Sequence, residues 1–200
     1  MKTLITKQRN LIFDKNEEII EHIILANKNI ILKTEKKSFM LENYINLNEE
    51  KKEKIRFYRN HPEIKKYLYN THYISRSEHE NFIQGLKENN QKQYFCINYN
   101  NEILGSVNFE EKNNSIVEFG FYSNPFSKFL GLGRILEEIS IYYSFSVLQK
   151  KEMILQVFTE NQKVVNLHKK FGFQINSTIN FNNKEIFYMS LKYPLQQNLL

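Results

Sequence analysis

Lys128, Gly131 and Gly133 form a K-x-x-G-x-G run inside NPFSKFLGLGRILEE, with Arg134 directly behind it. The chain has only six glycines in 200 residues, so two of them one residue apart ahead of an amphipathic stretch ask for a reason. A loop that ends where a helix begins presents unpaired backbone N–H groups and the positive end of the helix dipole, which suit a phosphate. Glycine lets that backbone approach without a Cβ in the way. Lys128 and Arg134 add charge for a diphosphate. A plain tight turn from strand to helix would use the same spacing. A nucleoside triphosphate loop is excluded, because no Gly-Lys-Ser or Gly-Lys-Thr follows. A dinucleotide fingerprint fails too, for want of a third glycine and a βαβ unit.

Other residues able to do chemistry are few. His22, His61, His72, His79 and His168 show no metal-ligand spacing, so no metal is expected. His22 and His72 read as ordinary polar residues, and His61 as a ring that fixes the turn before Pro62. Cys96 stands alone, which removes an intramolecular disulfide and any cysteine zinc cluster. The net charge is +6, but the lysines are spread along the chain and mixed with glutamates, as in EEKKEKIRFYR. That pattern lacks the one-sided basic stripe of a nucleic-acid binder and suits a small anionic partner. No apolar run is long enough to span a membrane and no secretory h-region opens the chain, so neither nucleic acid nor membrane is expected and the cytoplasm is the expected location.

The elements that must position these residues can be read from periodicity. Residues 1–37 read as an extension of unknown role, with a helix capped by Asp14 and Glu17 and faced by Ile19, Ile20, Ile23 and Ile24. A β-like NIILK and a linker-like KTEKKS follow. From Ser38 the order is a strand, helices, three antiparallel strands, a helix, a strand, a helix and two strands. The second main helix carries a capping box at Ser75/Glu78 or Ser77/Glu80. The helix after the glycine loop has apolar residues at Leu132, Ile135, Leu136, Ile139, Tyr143 and Val147, a 3.6 period. This is a mixed α/β (α+β) domain over 38–193, followed by a tail, 194–200.

The K-x-x-G-x-G run, following VEFGFY and opening a helix, resembles the acetyl-CoA pyrophosphate loop of the GNAT N-acetyltransferases. There the first position is usually Gln or Arg; Lys128 keeps the charge. Downstream, TENQKVVNLHKKFGF resembles the GNAT segment in which an Asn precedes a helix ending in Gly-Phe, with His168 where a tyrosine is usual. FYRNHPEIKKYLYNTHYIS, SEHENFIQGL, YFCINYNNEILGSVNF and EFGFYSNPF are similar to the pseudaminic acid branch of that family, over roughly 38–193.

The resemblance implies a central, mostly antiparallel mixed sheet whose fourth and fifth strands splay apart, here SIVEFGFYS and MILQVFTE. Acetyl-CoA would lie in the gap, held by Phe121, Tyr122 and Ser123, by the loop Lys128, Phe129, Leu130, Gly131, Leu132, Gly133 and Arg134, and by Asn161. Gly120 would be a bulge that opens the strand, or a glycine merely tolerated there. His168 would act as general acid toward the leaving thiolate, or merely contact the cofactor. An imidazole with its ordinary value near 6.5 is only about one-quarter charged at pH 7. Glu160 would serve as base through water, or sit as an exposed glutamate at a helix start. Arg59 would grip a UDP oxygen in a bidentate fork, or be a surface arginine. His79 would bind phosphate or pack in its helix; Asn108 and Tyr122 would border the acceptor pocket.

The reaction implied is acetylation of the 4-amino group of a UDP-4-amino-4,6-dideoxy-N-acetyl-β-L-altrosamine-type sugar, in an enzyme that could be a homodimer. Acetylation of protein N-termini or another amine, and a non-catalytic CoA-binding module, are the alternatives.

Overall fold

The computed structural model describes residues 19–193. The strands are β1 (Glu21–Ile24), β2 (Ile30–Lys33), β3 (Ser38–Asn43), β4 (Lys92–Tyr99), β5 (Glu102–Glu111), β6 (Ile116–Ser123), β7 (Glu152–Phe158), β8 (Gln174–Phe181) and β9 (Lys184–Lys192). The helices are α1 (Glu49–Asn60), α2 (Pro62–Lys65), α3 (Arg76–Glu88), α4 (Leu132–Tyr142) and α5 (Gln162–Lys170). All nine strands join one sheet in the order β1-β2-β3-β4-β5-β6-β7-β9-β8. Only β6 and β7 run parallel; every other neighbouring pair is antiparallel.

Alternation along the strands sends side chains to two cores. Val107 and Phe109 of β5 join Phe95, Ile97, Phe119 and Met153 beneath Leu132, Leu136 and Ile139 of α4. On the opposite face Cys96 packs with Tyr44, with Ile55 of α1 and with Ile83 and Leu86 of α3. Local chemistry sets the ends of these elements. Ser75 and Glu78 close a capping box on α3, which decides between the two candidate boxes. His61 caps α2, its Nδ1 accepting from the Glu63 N–H at 3.3 Å, ahead of Pro62 at the first helical position. The Asn100-Asn101 and Asn182-Asn183 pairs adopt positive φ and turn the β4–β5 and β8–β9 hairpins. The helical period expected through Val147 continues past α4 as a π-helical turn, Tyr143–Val147.

Three expectations are corrected. The helix expected near the N-terminus is not present in the described part: Ile23 and Ile24 lie in β1, while Asp14 and Glu17 fall outside the described residues. The isoleucine spacing is helical, but the hairpin with Ile30 and Ile31 selects the strand, since β-branched side chains pack well on a pleated surface. The expected linker is a turn, with Thr34 Oγ1 accepting from the Lys37 N–H at 2.8 Å, and β2 pairs directly with β3. Residues 21–33 therefore belong to the same sheet as the rest; the 194–200 tail lies outside the described residues.

The feature that matters for function is a split in the sheet. β6 and β7 pair only at Ile116↔Glu152, Val117↔Met153 and Glu118↔Ile154. Beyond those positions β6 stays with β5 as far as Ser123, and β7 stays with β9 as far as Phe158. The third correction concerns Gly120, which is not a bulge. It faces Asn108 in unbroken register, and a Cβ there would sit 3.2 Å from Asn108 Oδ1. The register shift in this part of the sheet falls instead between β4 and β5 at Ile97/Asn98.

Candidate active site

The loop after β6 leads to the N-terminus of α4. Gly131 caps that helix in the left-handed region, φ 74°, ψ 17°, and no side chain caps it. The N–H groups of the first turn are thus left to a ligand or to solvent. A Cβ at Gly131 would touch nothing within 4 Å, so glycine serves the backbone turn there. Gly133 has a different reason: its missing Cβ lets Leu167 of α5 approach to 3.3 Å. Asn124 pins the preceding turn, donating to Ile103 O and accepting from the Phe126 N–H, both at 2.9 Å. Leu132 is buried, Phe129 packs edge-on against Tyr99, and Leu130 stands 91% exposed at the loop tip. Lys128 is exposed on the loop. Arg134 is engaged with Glu138 at 3.0 Å and lies over the Phe171 ring, so its charge is shared rather than idle.

Phe121, Tyr122 and Ser123 lie on the stretch of β6 that β7 no longer pairs. Behind it stands His168 of α5, 4% exposed, its ring against Phe119, Phe121 and Phe173. His168 Nδ1 is 2.9 Å from Glu137 Oε1. Glu137 is completely buried on α4, and among the described residues its Oε2 has no partner. Burial pushes the Glu137 carboxyl above the usual carboxylate range, and the His168 contact opposes that shift. Asn161 is the buried N-cap residue of α5, but its side chain makes no capping bond. Glu160, one residue earlier, is exposed and paired with Lys184 at 2.6 Å.

The other substrate-side residues gather on the face toward α1 and α3. Arg59, in the last turn of α1, has Nη2 donating to Asn70 O at 2.7 Å, while among the described residues its buried Nη1 has no partner. Burial holds this guanidinium below its ordinary range, offset by the nearby Tyr122, Tyr44 and Tyr94 phenols. Tyr44 and Tyr122 join hydroxyls at 3.2 Å, and Tyr44 also bonds Ser106 Oγ at 2.6 Å. Burial pushes the Tyr122 phenol up to about 12. Asn108 lies on this face beside Gly120. His79 is buried against the Tyr44 ring, and burial, helped by the Arg56 charge, holds its imidazole down at about 4. A neutral His79 can offer a hydrogen bond but not a cation.

Sequence reasoning missed several residues here. Glu118 is the last β6 residue paired with β7; it receives Gln156 Nε2 at 3.1 Å and Lys112 Nζ at 2.7 Å, and Tyr69 donates to Gln156 at 2.9 Å. Lys112 and Lys92 also bridge Glu110. The available signal was polar residues alternating with core residues on strands, as in Ser106, Asn108 and Glu110. Glu137 had a signal too: Gly133, Glu137 and Ser140 fall at helical spacing on a second stripe of α4, which Ser144 continues in the π-helical turn.

Among the described residues no cluster of His, Cys, Asp or Glu could hold a metal, and no helix is long and apolar enough to cross a membrane. Residues 45–174 match the acetyltransferase (GNAT) domain family. The chain is 32% identical over 152 residues to acetyltransferase PseH of Campylobacter jejuni subsp. jejuni strain 81-176, covering 76% of this chain and 92% of that protein. Its fold is similar to the crystal structure of Campylobacter jejuni N-acetyltransferase PseH in complex with acetyl coenzyme A, with a TM-score of 0.63 and 28% identity over 77% of this chain and 98% of that one. It is also similar to a Vibrio cholerae spermidine N-acetyltransferase in complex with CoA and spermine, with a TM-score of 0.69 at 23% identity over 77% and 95% of the two chains. At that identity the likeness concerns the fold alone.

Proposed function

Because the chain belongs to the GNAT acetyltransferase family, we propose that it transfers the acetyl group of acetyl-CoA to the 4-amino group of a UDP-4-amino-4,6-dideoxy-N-acetyl-β-L-altrosamine-type sugar, a step of pseudaminic acid biosynthesis. The observation that carries the reading is the parting of β6 from β7 beyond Glu118 and Ile154, beside an uncapped helix N-terminus. Two strand edges that have lost each other present unpaired N–H and C=O groups, a slot for one extended chain. The residues present fit a CoA ester, with an amide-bearing arm for the slot and a diphosphate for the helix start.

Bound acetyl-CoA supplies an activated thioester. The first-turn N–H groups of α4 would hold its diphosphate, with Lys128 and the shared charge of Arg134. The loop residues Phe129, Leu130, Gly131, Leu132 and Gly133 frame that seat. The Phe121–Ser123 backbone would pair with the arm and direct an N–H at the acyl oxygen, where negative charge develops. Asn161, buried at the start of α5, would contact the arm from the β7 side. On the opposite face Arg59 would use its unpartnered Nη1 on a UDP oxygen, and Asn108 and Tyr122 would border the amine. His79 would support that wall as a neutral ring. His168 would donate a proton to the leaving thiolate, and Glu160 would relay the amine proton through water. Holding both reactants in line supplies much of the rate.

A polycationic acceptor is disfavoured by the acidic residues on this face, since Glu110 and Glu118 are already bridged by Lys92 and Lys112. A cytoplasmic homodimer completes the reading, and sedimentation velocity at micromolar concentration tests the dimer. Free-thiol release with a panel of UDP-4-amino-6-deoxy sugars, with product masses, tests the reaction. Turnover confined to the altro isomer is the expected result. Tight acetyl-CoA binding with no acetylated sugar would overturn the acceptor assignment.

A further inference from the structure

Glu137 is a carboxyl group with no access to solvent and one polar contact, His168 Nδ1 at 2.9 Å. Carboxylates are almost never fully buried unless paired, and the orphaned Oε2 adds to the cost of keeping this one. Its stripe on α4 is otherwise small, with Gly133 and Ser140. A longer side chain there reaches across to α5. We propose that Glu137 is a positioning residue whose carboxylate holds the His168 ring with Nδ1–H toward itself and keeps a second proton on Nε2 for the leaving thiolate. The proposal rests on the acetyl-transfer reading and deepens it.

The surroundings of the pair favour that role. His168 lies against Phe119 and Phe121, both on the part of β6 past its last pairing with β7, so the ring backs onto the slot. Among the described residues Nε2 has no hydrogen-bond partner. The groups facing the ring are Glu137 from α4, Phe119 and Phe121 from β6, and Phe173 from the chain after α5. Only Glu137 among them titrates, and His168 is the one charge acting on Glu137.

Proton bookkeeping then follows from burial. With two protons the pair carries no net charge; with one it carries a buried negative charge, which the interior disfavours. The second proton is therefore retained until a strong acceptor arises beside Nε2. In the transfer the amine nitrogen bonds the acyl carbon, the carbon–sulfur bond breaks, and its electron pair stays on sulfur. The Nε2 proton follows to the thiolate. The acetylated nitrogen sheds a proton to solvent, from which the pair is reloaded.

The test uses the full chain labelled with 15N-histidine, recorded by NMR across the neutral pH range without any acceptor. The His168 ring is expected to carry protons on both Nδ1 and Nε2; a neutral ring in that range would overturn the proposal. Kinetics provide the second arm. Glu137→Gln keeps the shape and removes the charge, so kcat should fall about tenfold with the acetyl-CoA KM nearly unchanged. Adding Glu137→Gln to His168→Phe should give no further loss in kcat, whereas multiplied losses would show that Glu137 acts elsewhere. The NMR arm needs neither a variant nor an acceptor, so a wrong acceptor or an unfolded variant leaves the pair still testable.

Discussion

Arg59 has one guanidinium nitrogen that no described protein atom satisfies, in a place too buried for easy hydration. A charged donor left so is worth about 1.5–3 kcal/mol to a ligand oxygen that reaches it. Arg59→Ala is therefore expected to raise the sugar-nucleotide KM roughly 10- to 100-fold while leaving the acetyl-CoA KM nearly unchanged. Arg59→Lys should rescue little, because a lysine cannot keep the Asn70 carbonyl and a ligand oxygen in one planar fork. Initial-rate measurements with each substrate varied in turn decide this; parallel rises in both KM values would remove Arg59 from the nucleotide side. His79 gives a prediction of a different kind. Its folded value of about 4 lies below the ordinary value of 6.5, so the unfolded chain binds more protons between the two. Stability should be complete above about 6.5 and decline as pH falls toward about 4, by up to about 3 kcal/mol. His22, lowered in the same direction by burial, adds to the slope. Denaturant melts of wild type and His79→Phe across that window should show a shallower acid decline in the variant. An equal slope would mean that His79 protonates freely in the folded protein.

At the scale of elements, the site is held by a few close approaches. Gly105 on β5 sits where a Cβ would fall 2.4 Å from Tyr122 O and 2.9 Å from Leu136 Cδ1. This glycine lets β5, β6 and α4 meet beside the slot. Gly105→Ala should destabilise by about 1–3 kcal/mol, read as a lowered melting temperature, and should loosen acetyl-CoA binding because Tyr122 is displaced. An alanine variant of unchanged stability and affinity would show that β6 yields without consequence. The glycine loop was legible in the sequence because its logic is local: a strand, a positive-φ cap and an amphipathic helix lie within about 20 residues. Capping boxes and asparagine turns were legible for the same reason. The first strand was misread as a helix because Ile19, Ile20, Ile23 and Ile24 fall at helical spacing, and only the partner strand decides.

For the whole molecule, the strands preceding Ser38 are part of the sheet and not an appendage. Ile30 and Leu32 of β2 are 3% and 0% exposed and pack with Phe39 and Leu41, while His22 Nδ1 meets Tyr142 OH at 3.0 Å on α4. Deleting residues 1–37 should therefore cost several kcal/mol, since losing one such buried side chain alone costs about 2–5 kcal/mol. Chemical denaturation of the truncated chain tests this, and unchanged stability would show β1 and β2 to be dispensable.

The amino-acid sequence by itself determined the alternation of strands and helices, the glycine loop ahead of α4, and the residue types that resemble a family of acetyltransferases. These follow from periodicities and caps that act within one turn or one hairpin. Only the tertiary structure decided that β7 parts from β6 after three pairs, that Arg59 keeps an unpartnered nitrogen, and that Glu137 meets His168 across 31 residues of chain. Each of those depends on burial and on contacts between distant segments, where desolvation gives a lone carboxylate or guanidinium its significance, and no local pattern carries that information.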